Sequence, residues 1–386
     1  MGKVRIVDVA REAGVSLGTV SNALNHPEKV RPETRKLIDE AIQRLGYLPN
    51  QSARLLAGGR TNTIGLVLPG LTSGCSLQIA NGARNEAMRH GYDLLVMSSD
   101  GDSALEDRYL NFFVGIQVAG ILVQPAPSMK QRAAAELPVP TVYLDVPWVS
   151  DRVASVGAHY RAQGRLIAEH VLARGAERVA VVGRAENAQL AERLEGIRDM
   201  FPGYGDVSLE IYNEGATSGS GDGARLGAML ASRNERVRPD AIIGLTDAIA
   251  MGALAGVMAA GCSVPHDIMV AGCDGNPLAW GGPLPLTTCS PAGYELGRKG
   301  AQLIIERVMW DEEHAREAKR AALRGFGGIA QEGPPVAHET VRPFLLERAS
   351  TSRGILEPLD VSGASAGVPA TDVAAGIPEY DAGAYL

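Results

Sequence analysis

Residues 7–25 read Val-Asp-Val-Ala-Arg-Glu-Ala-Gly-Val-Ser-Leu-Gly-Thr-Val-Ser-Asn-Ala-Leu-Asn, and this stretch decides the fold of the first part of the chain. Together with Ile6, the residues Val9, Ala10 and Ala13 fall at i, i+3, i+4 and i+7, one apolar face of a short helix. Gly14 then breaks the pattern, as a tight turn between two helices needs a residue free of Cβ crowding. Ser16 is placed to cap a second helix running from Leu17 to Asn25. In that helix Val20 and Leu24 face inward, while Gly18, Ser21, Asn22 and Asn25 share the opposite side. This outer face is small and polar, as an element pressed into a DNA major groove requires.

A third helix follows, with Thr34, Leu37, Ile38, Ala41 and Leu45 inward and Gly46 as its C-terminal stop. Pro32 suits its first turn, whereas Arg31 is a poor cap, at a cost of about 0.5–2 kcal/mol against serine. Residues 1–60 hold ten Lys/Arg and six Asp/Glu, so this end carries +4 although the whole chain carries −7. A basic end on an acidic body fits a module that meets a polyanion, and a solvated helical face would carry the same charge. On these residues alone the reading is a DNA-reading headpiece, with a plain helical bundle as the alternative.

The 386 residues correspond to two or three domains at roughly 150 residues each. The hydrophobic share of 45% and charged share of 21% suit a globular chain with sizeable cores. Arg5 and Asp8 interrupt the first apolar run, so no secretory signal is expected. Cys75, Cys262, Cys273 and Cys289 form no C-x-x-C and no zinc spacing, which reads as reduced, mostly buried thiols of a cytoplasmic protein. Residues 241–262 imitate a membrane span with the single charge of Asp247, but glycines interrupt them and a strand followed by a helix reads identically.

In the body, short apolar runs at 63–68, 92–97, 120–123, 139–144, 179–182, 209–212, 241–245 and 268–273 are spaced by helical stretches. Two of these are residues 77–90, closed by Gly91, and 164–173, closed by Gly175. Such alternation argues for parallel sheets with helices on both faces, divided between two doubly wound lobes. Ligands in such sheets bind beyond the carboxyl ends of the strands. Gly219, Gly221 and Ala224 fit the dinucleotide pattern G-x-G-x-x-A, yet the preceding strand ends seven residues before Gly219, so nucleotide binding is not expected. The chain contains no nucleophile elbow, H-E-x-x-H or Walker loop, and its seven histidines lack metal spacing. A non-enzyme without cofactor or metal is expected.

The run from Val7 through Gly70 resembles the N-terminus of lactose repressor (LacI/GalR) family regulators, through D-V-A-x-x-A-G-V-S-x-x-T-V-S, Y-x-P-N-x-x-A-R and T-x-x-I-G-L. Asp8, Val9, Ala10, Ala13, Gly14, Val15, Ser16, Thr19, Val20, Ser21 and Asn25 match the family pattern. The resemblance implies that Ser16, Thr19, Ser21 and Asn25 place the second helix on phosphates, and that Leu17, Gly18 and Asn22 read bases. Asn22 stands where the family usually has arginine, and asparagine favours adenine N6 and N7 over guanine. Residues 50–57 make about two helical turns, too short to hold a helix alone. By resemblance they form a hinge helix that orders on operator DNA, with Asn50 at its start, Ala53 allowing close helix contact and Arg54 on phosphate or in the minor groove. Leu56 then wedges the central base step, with Leu55 as the alternative.

For the body the resemblance implies two lobes like those of periplasmic sugar-binding proteins, joined by three crossovers and exchanging near residues 157 and 289. It places effector contacts at Cys75, Ser76, His159, Arg193, Thr246 and Asp274, with Gln78 on the same first-lobe loop. A surface ion pair of Arg193 with Glu192 or Glu195 is the plain alternative for that arginine. The usual cleft aromatic is missing near Thr217, and Trp148 and Trp280 are its candidate replacements. His159 replaces an acid and Thr246 an amide, which opens the cleft to a phosphorylated or acidic sugar as well as a neutral one.

The expected organisation is a helix-turn-helix headpiece at 1–49, a hinge at 50–60, a two-lobed effector domain at 61–353 and a disordered acidic tail at 354–386. The segment 311–337 exceeds the family norm, and no leucine heptad follows it. The expected function is a cytoplasmic dimeric repressor on a palindromic operator, controlled by a sugar-like effector. The alternative is a cytoplasmic sugar-binding protein with a vestigial headpiece.

Overall fold

The computed structural model describes residues 4–25, 29–47, 61–126, 137–146, 152–213, 219–323 and 336–352. The hinge residues Asn50, Ala53, Arg54 and Leu56, the tail, Trp148 and the side chains of Asn25 and Trp280 lie outside this description. The chain separates into two units, Met1–Thr61 and Asn62–Leu386.

The first unit holds helices α1 (Ile6–Glu12), α2 (Leu17–Asn25) and α3 (Pro32–Leu45). Asp8 caps the first by accepting the Arg5 N–H at 2.9 Å. Gly14 and Gly46 take φ of +66° and +62°, the left-handed backbone that ends α1 and α3 without a Cβ clash. Val9, Ala10, Val20, Ile38, Ala41 and Tyr47 make the core. Leu37, expected inside, is 51% exposed. The inward stripe of α3 is Ile38, Ala41, Ile42 and Leu45, spaced i, i+3, i+4, i+7, and Leu37 lies about one residue's turn of 100° away from it.

The second unit contains two six-stranded sheets, each flanked by helices. In the first lobe they are β1 (Thr63–Leu68), β2 (Asp93–Ser98), β3 (Gly120–Val123), β4 (Thr141–Leu144), β5 (Ala154–Ala158) and β11 (His338–Val341), in the order β11-β5-β4-β3-β1-β2. In the second they are β6 (Arg178–Val182), β7 (Ser208–Tyr212), β8 (Ala241–Gly244), β9 (Met269–Gly272), β10 (Thr287–Ser290) and β12 (Phe344–Leu346), in the order β12-β10-β9-β8-β6-β7. All pairings are parallel except β10 with β12. The central strands carry unbroken apolar runs because both of their faces are covered. The chain changes lobe between β5 and the next helix, after β10, and between β11 and β12.

The helices are α4 (Gly74–Arg89), α5 (Ser103–Gly115), α6 (Tyr160–Ala173), α7 (Ala188–Arg198), α8 (Ser220–Ala231), α9 (Asp247–Ala259) and α10 (Gly293–Leu323). Three pairs cross with backbones in contact, and glycine makes each crossing. A Cβ at Gly82 would strike the Tyr294 carbonyl where α4 meets α10, and one at Gly297 the Ile79 carbonyl. Gly164 and Gly196 do the same for α6 and α7. Gly223, Gly227, Gly252 and Gly256 do so for α8 and α9. The glycine cluster that imitates a dinucleotide loop thus runs into a helix-packing ridge. The membrane-like stretch is β8 followed by α9, and no helix among the described residues is long and apolar enough to cross a membrane. The long segment beginning at Asp311 is a continuation of α10 as far as Leu323.

Candidate DNA-reading face and effector cleft

On α2 the Ser16 hydroxyl accepts the Thr19 N–H at 3.1 Å and meets the Thr19 hydroxyl at 2.8 Å, which fixes the start of the helix. Leu17, 48% exposed, stands on the outer surface with Gly18 and Asn22, while Val20 is fully buried and Ser21 half-buried. A Cβ at Gly18 would meet only the Ser16 Oγ at 3.7 Å, so packing within the headpiece does not demand glycine there.

In the second unit, the polar groups collect where the strands end. Gln124 follows β3, Asp145 follows β4, and Tyr160 opens α6 two residues after β5. Asp145 is buried and sits at φ +62°, a backbone region that costs a non-glycine residue and recurs at ligand sites. Its carboxylate accepts Gln124 Nε2 at 2.9 Å and the Tyr160 hydroxyl, and Ser76 Oγ donates to Gln124 Oε1 at 2.7 Å. The Asp145 carbonyl accepts Gln189 Nε2 from α7 at 3.2 Å, a bond from the second lobe to the first.

Arg193, also on α7, is 2% exposed. Its Nε donates to Gln163 Oε1 at 2.8 Å, its Nη1 donates to the Leu245 carbonyl, and Nη1 lies 3.4 Å from Asp274 Oδ1. Its guanidinium lies 5.4 Å from the Tyr160 ring centroid, a cation–π contact. Asp247 is fully buried and accepts the Thr288 hydroxyl at 2.6 Å and the Asn276 N–H at 2.7 Å. Asp274 accepts the Asp247 N–H at 3.0 Å, so both acids lie at one corner of the cleft.

Burial dominates the electrostatics. It raises Asp145 to about 6 against the opposing bonds from Tyr160 and Gln124. It also raises Asp247 to about 7, helped by the nearby Asp274 carboxylate. Asp274 is raised as well by burial, with Arg193 pulling the other way. Burial works against the Arg193 charge, but Asp274 and its neighbours hold it above the usual value. The Cys75 thiol is driven up by burial and by Asp145, which disfavours its thiolate form. Several acids with raised affinity for protons thus surround one held cation in a buried polar cluster at the strand ends, the pattern of a candidate binding site.

The structure thus brings together Cys75, Ser76, Arg193 and Asp274 from the sequence-based list. The alternative surface pairing of Arg193 is replaced by the Asp274 contact. Thr246 caps α9 by accepting the Ile249 N–H at 3.3 Å. His159 is exposed, and its neighbour Tyr160 is the residue that goes inside. Sequence reasoning passed over Gln124, Asp145, Tyr160, Gln163 and Gln189. The first three stand within two residues of a strand's carboxyl end, where ligands of parallel sheets bind, and that position is the signal that would have found them.

Residues 5–50 match the model for bacterial regulatory proteins of the lacI family, and residues 168–325 match a periplasmic binding protein-like domain. Catabolite control protein A of Staphylococcus xylosus is 30% identical over 309 residues, which covers 78% of this chain and 92% of that protein. The chain belongs to the lacI family. As a lacI-family regulator it has the expected architecture, a helical headpiece followed by a two-sheet α/β body. The same fold is seen in the Lac repressor bound to ONPG in its repressed state, with a TM-score of 0.68, 24% identity and coverage of 90% of this chain and 100% of that one. It is also seen in the complex of the regulator CelR with cellobiose, with a TM-score of 0.57, 22% identity and coverage of 90% and 99%.

Proposed function

We propose that this lacI-family regulator is a cytoplasmic repressor that binds a palindromic operator as a homodimer, with operator affinity set by a small sugar-like ligand in the inter-lobe cleft. The observation that carries the DNA half is the outer face of α2, where Leu17, Gly18 and Asn22 stand exposed beside the Ser16–Thr19 cap. Ser16, Thr19, Ser21 and Asn25 hold phosphates, Leu17 meets a thymine methyl and Asn22 pairs with adenine. In the hinge, Asn50, Ala53 and Arg54 position the segment and Leu56 wedges the central step.

The cleft reading is supported by Arg193 and Asp274, set 3.4 Å apart at the strand ends with Asp145 close by. Pairing is supported by β2, an edge strand whose Leu95 and Val96 are exposed, as is Met88 on α4 beside it. A ligand that prefers one arrangement of the lobes shifts the population competent to hold DNA. Selection of sites from a randomised duplex pool by the purified chain tests the reading. The expected product is a palindrome with a central C·G step and adenine at the Asn22 position. Retention without sequence enrichment in the presence and absence of candidate sugars would mean that the headpiece no longer reads DNA.

A further inference from the structure

We propose that Tyr160 is a specificity-determining residue of the cleft, a built-in hydroxyl that takes up Asp145 and so discriminates against polyols that would bind through that carboxylate. The inference rests on reading the cleft as the effector site. Three observations carry it. Tyr160 is 6% exposed, and its hydroxyl donates to the Asp145 carboxylate. Gln124 donates to the other oxygen of the same carboxylate at 2.9 Å and is itself held by Ser76 at 2.7 Å. The guanidinium of Arg193 lies 5.4 Å from the centroid of the Tyr160 ring.

Carboxylates are good acceptors for sugar hydroxyls, and a buried one is valuable because water does not compete for it. Here both Asp145 oxygens already have protein donors, one of them a hydroxyl of the kind a sugar would supply. A buried tyrosine hydroxyl in turn needs its partner, so a ligand hydroxyl that takes the Asp145 acceptor site facing Tyr160 must leave the phenol unpaired or move the ring. Moving the ring also gives up its contact with Arg193.

The test is calorimetric titration of the full chain with D-ribose, D-glucose and cellobiose, for wild type, Tyr160→Phe and Tyr160→Ser. Tyr160→Phe keeps the ring and releases the carboxylate; Tyr160→Ser also releases the space. Glucose affinity is expected to rise from wild type to Tyr160→Phe and again to Tyr160→Ser, by about tenfold or more in total, which is about 1.4 kcal/mol. A tyrosine that merely props the fold would instead lose affinity and melting temperature together, and Tyr160→Phe keeps the comparison valid if the serine variant folds poorly. Equal or weaker affinity in both variants overturns the proposal, and so does the absence of binding in all three proteins. Arg193→Ala in each background separates the two readings. Binding that needs Arg193 but ignores Tyr160 sinks the tyrosine proposal alone, whereas binding that survives Arg193→Ala sinks the cleft itself.

Discussion

Gln78 is fully buried on α4, and neither atom of its amide has a hydrogen-bond partner among the described residues. Leaving an amide so costs about 1–3 kcal/mol, and Gln78→Met, of similar length, is expected to recover about 1 kcal/mol in a denaturant titration. A loss of stability would show that the amide is satisfied in solution. Asp247 gives the opposite kind of signal, one that depends on pH. Its folded-state value, about 7, lies above the ordinary 3.8, so the folded protein holds this proton more tightly than the unfolded chain. The resulting stabilisation is complete below about pH 4 and disappears as pH rises through about 7; Asp145, at about 6, adds to the same trend. Asp247→Asn is therefore expected to flatten the fall of melting temperature between pH 5 and pH 8, whereas an unchanged slope would mean that Asp247 is ionised in the fold. At this scale the sequence was partly readable. Arg193 and Asp274 stand in motifs that name them, but Tyr160, at the start of α6, has its partner 15 residues away in the loop after β4, and no local spacing shows that.

Elements were more legible where the pattern is local. The three helices of the headpiece follow from their caps, glycines and periodicity, and even the missing cap at Arg31 appears as read. Leu37 escaped because an apolar residue beside the stripe counts the same as one within it until the neighbouring helix is known. The exposed side of α2 yields a prediction of its own. Gly18→Trp should leave the melting temperature unchanged, because only the Ser16 Oγ lies near that Cβ, but should abolish operator retention in a mobility-shift assay. Operator binding equal to wild type would place the DNA on another face. In the body, β5 and β10 were not predicted, since short runs such as Ala154–Ala158 carry small residues and little apolar signal. Nor does sequence spacing distinguish a phosphate loop from a helix crossing: both use glycine for close approach, and only the partner's backbone tells them apart. Gly227→Val, set against the Ala253 carbonyl, is expected to cost about 1–3 kcal/mol or more by overpacking, measurable by thermal melting.

At the scale of the whole second unit, the exposed apolar edge of β2 makes association testable. Leu95→Arg with Val96→Glu is expected to turn a dimer into a monomer in sedimentation and to weaken operator binding, with the melting temperature of the dilute protein little changed. An unaltered sedimentation coefficient would direct attention to another surface. The two-lobed architecture followed from the alternation of strands and helices, whereas the sharing of β11 and β12 between lobes did not, because it depends on where the last 15 described residues travel. The glycine crossings and the three connecting strands have a joint mechanical consequence. Helices locked backbone to backbone leave each lobe little room to deform, so motion is confined to the straps between them, one of which contains Ala292 at φ +64°. A ligand seated in the cleft would then be felt at the far end of a lobe as the swing of a rigid lever, its reach multiplied by the length of the arm.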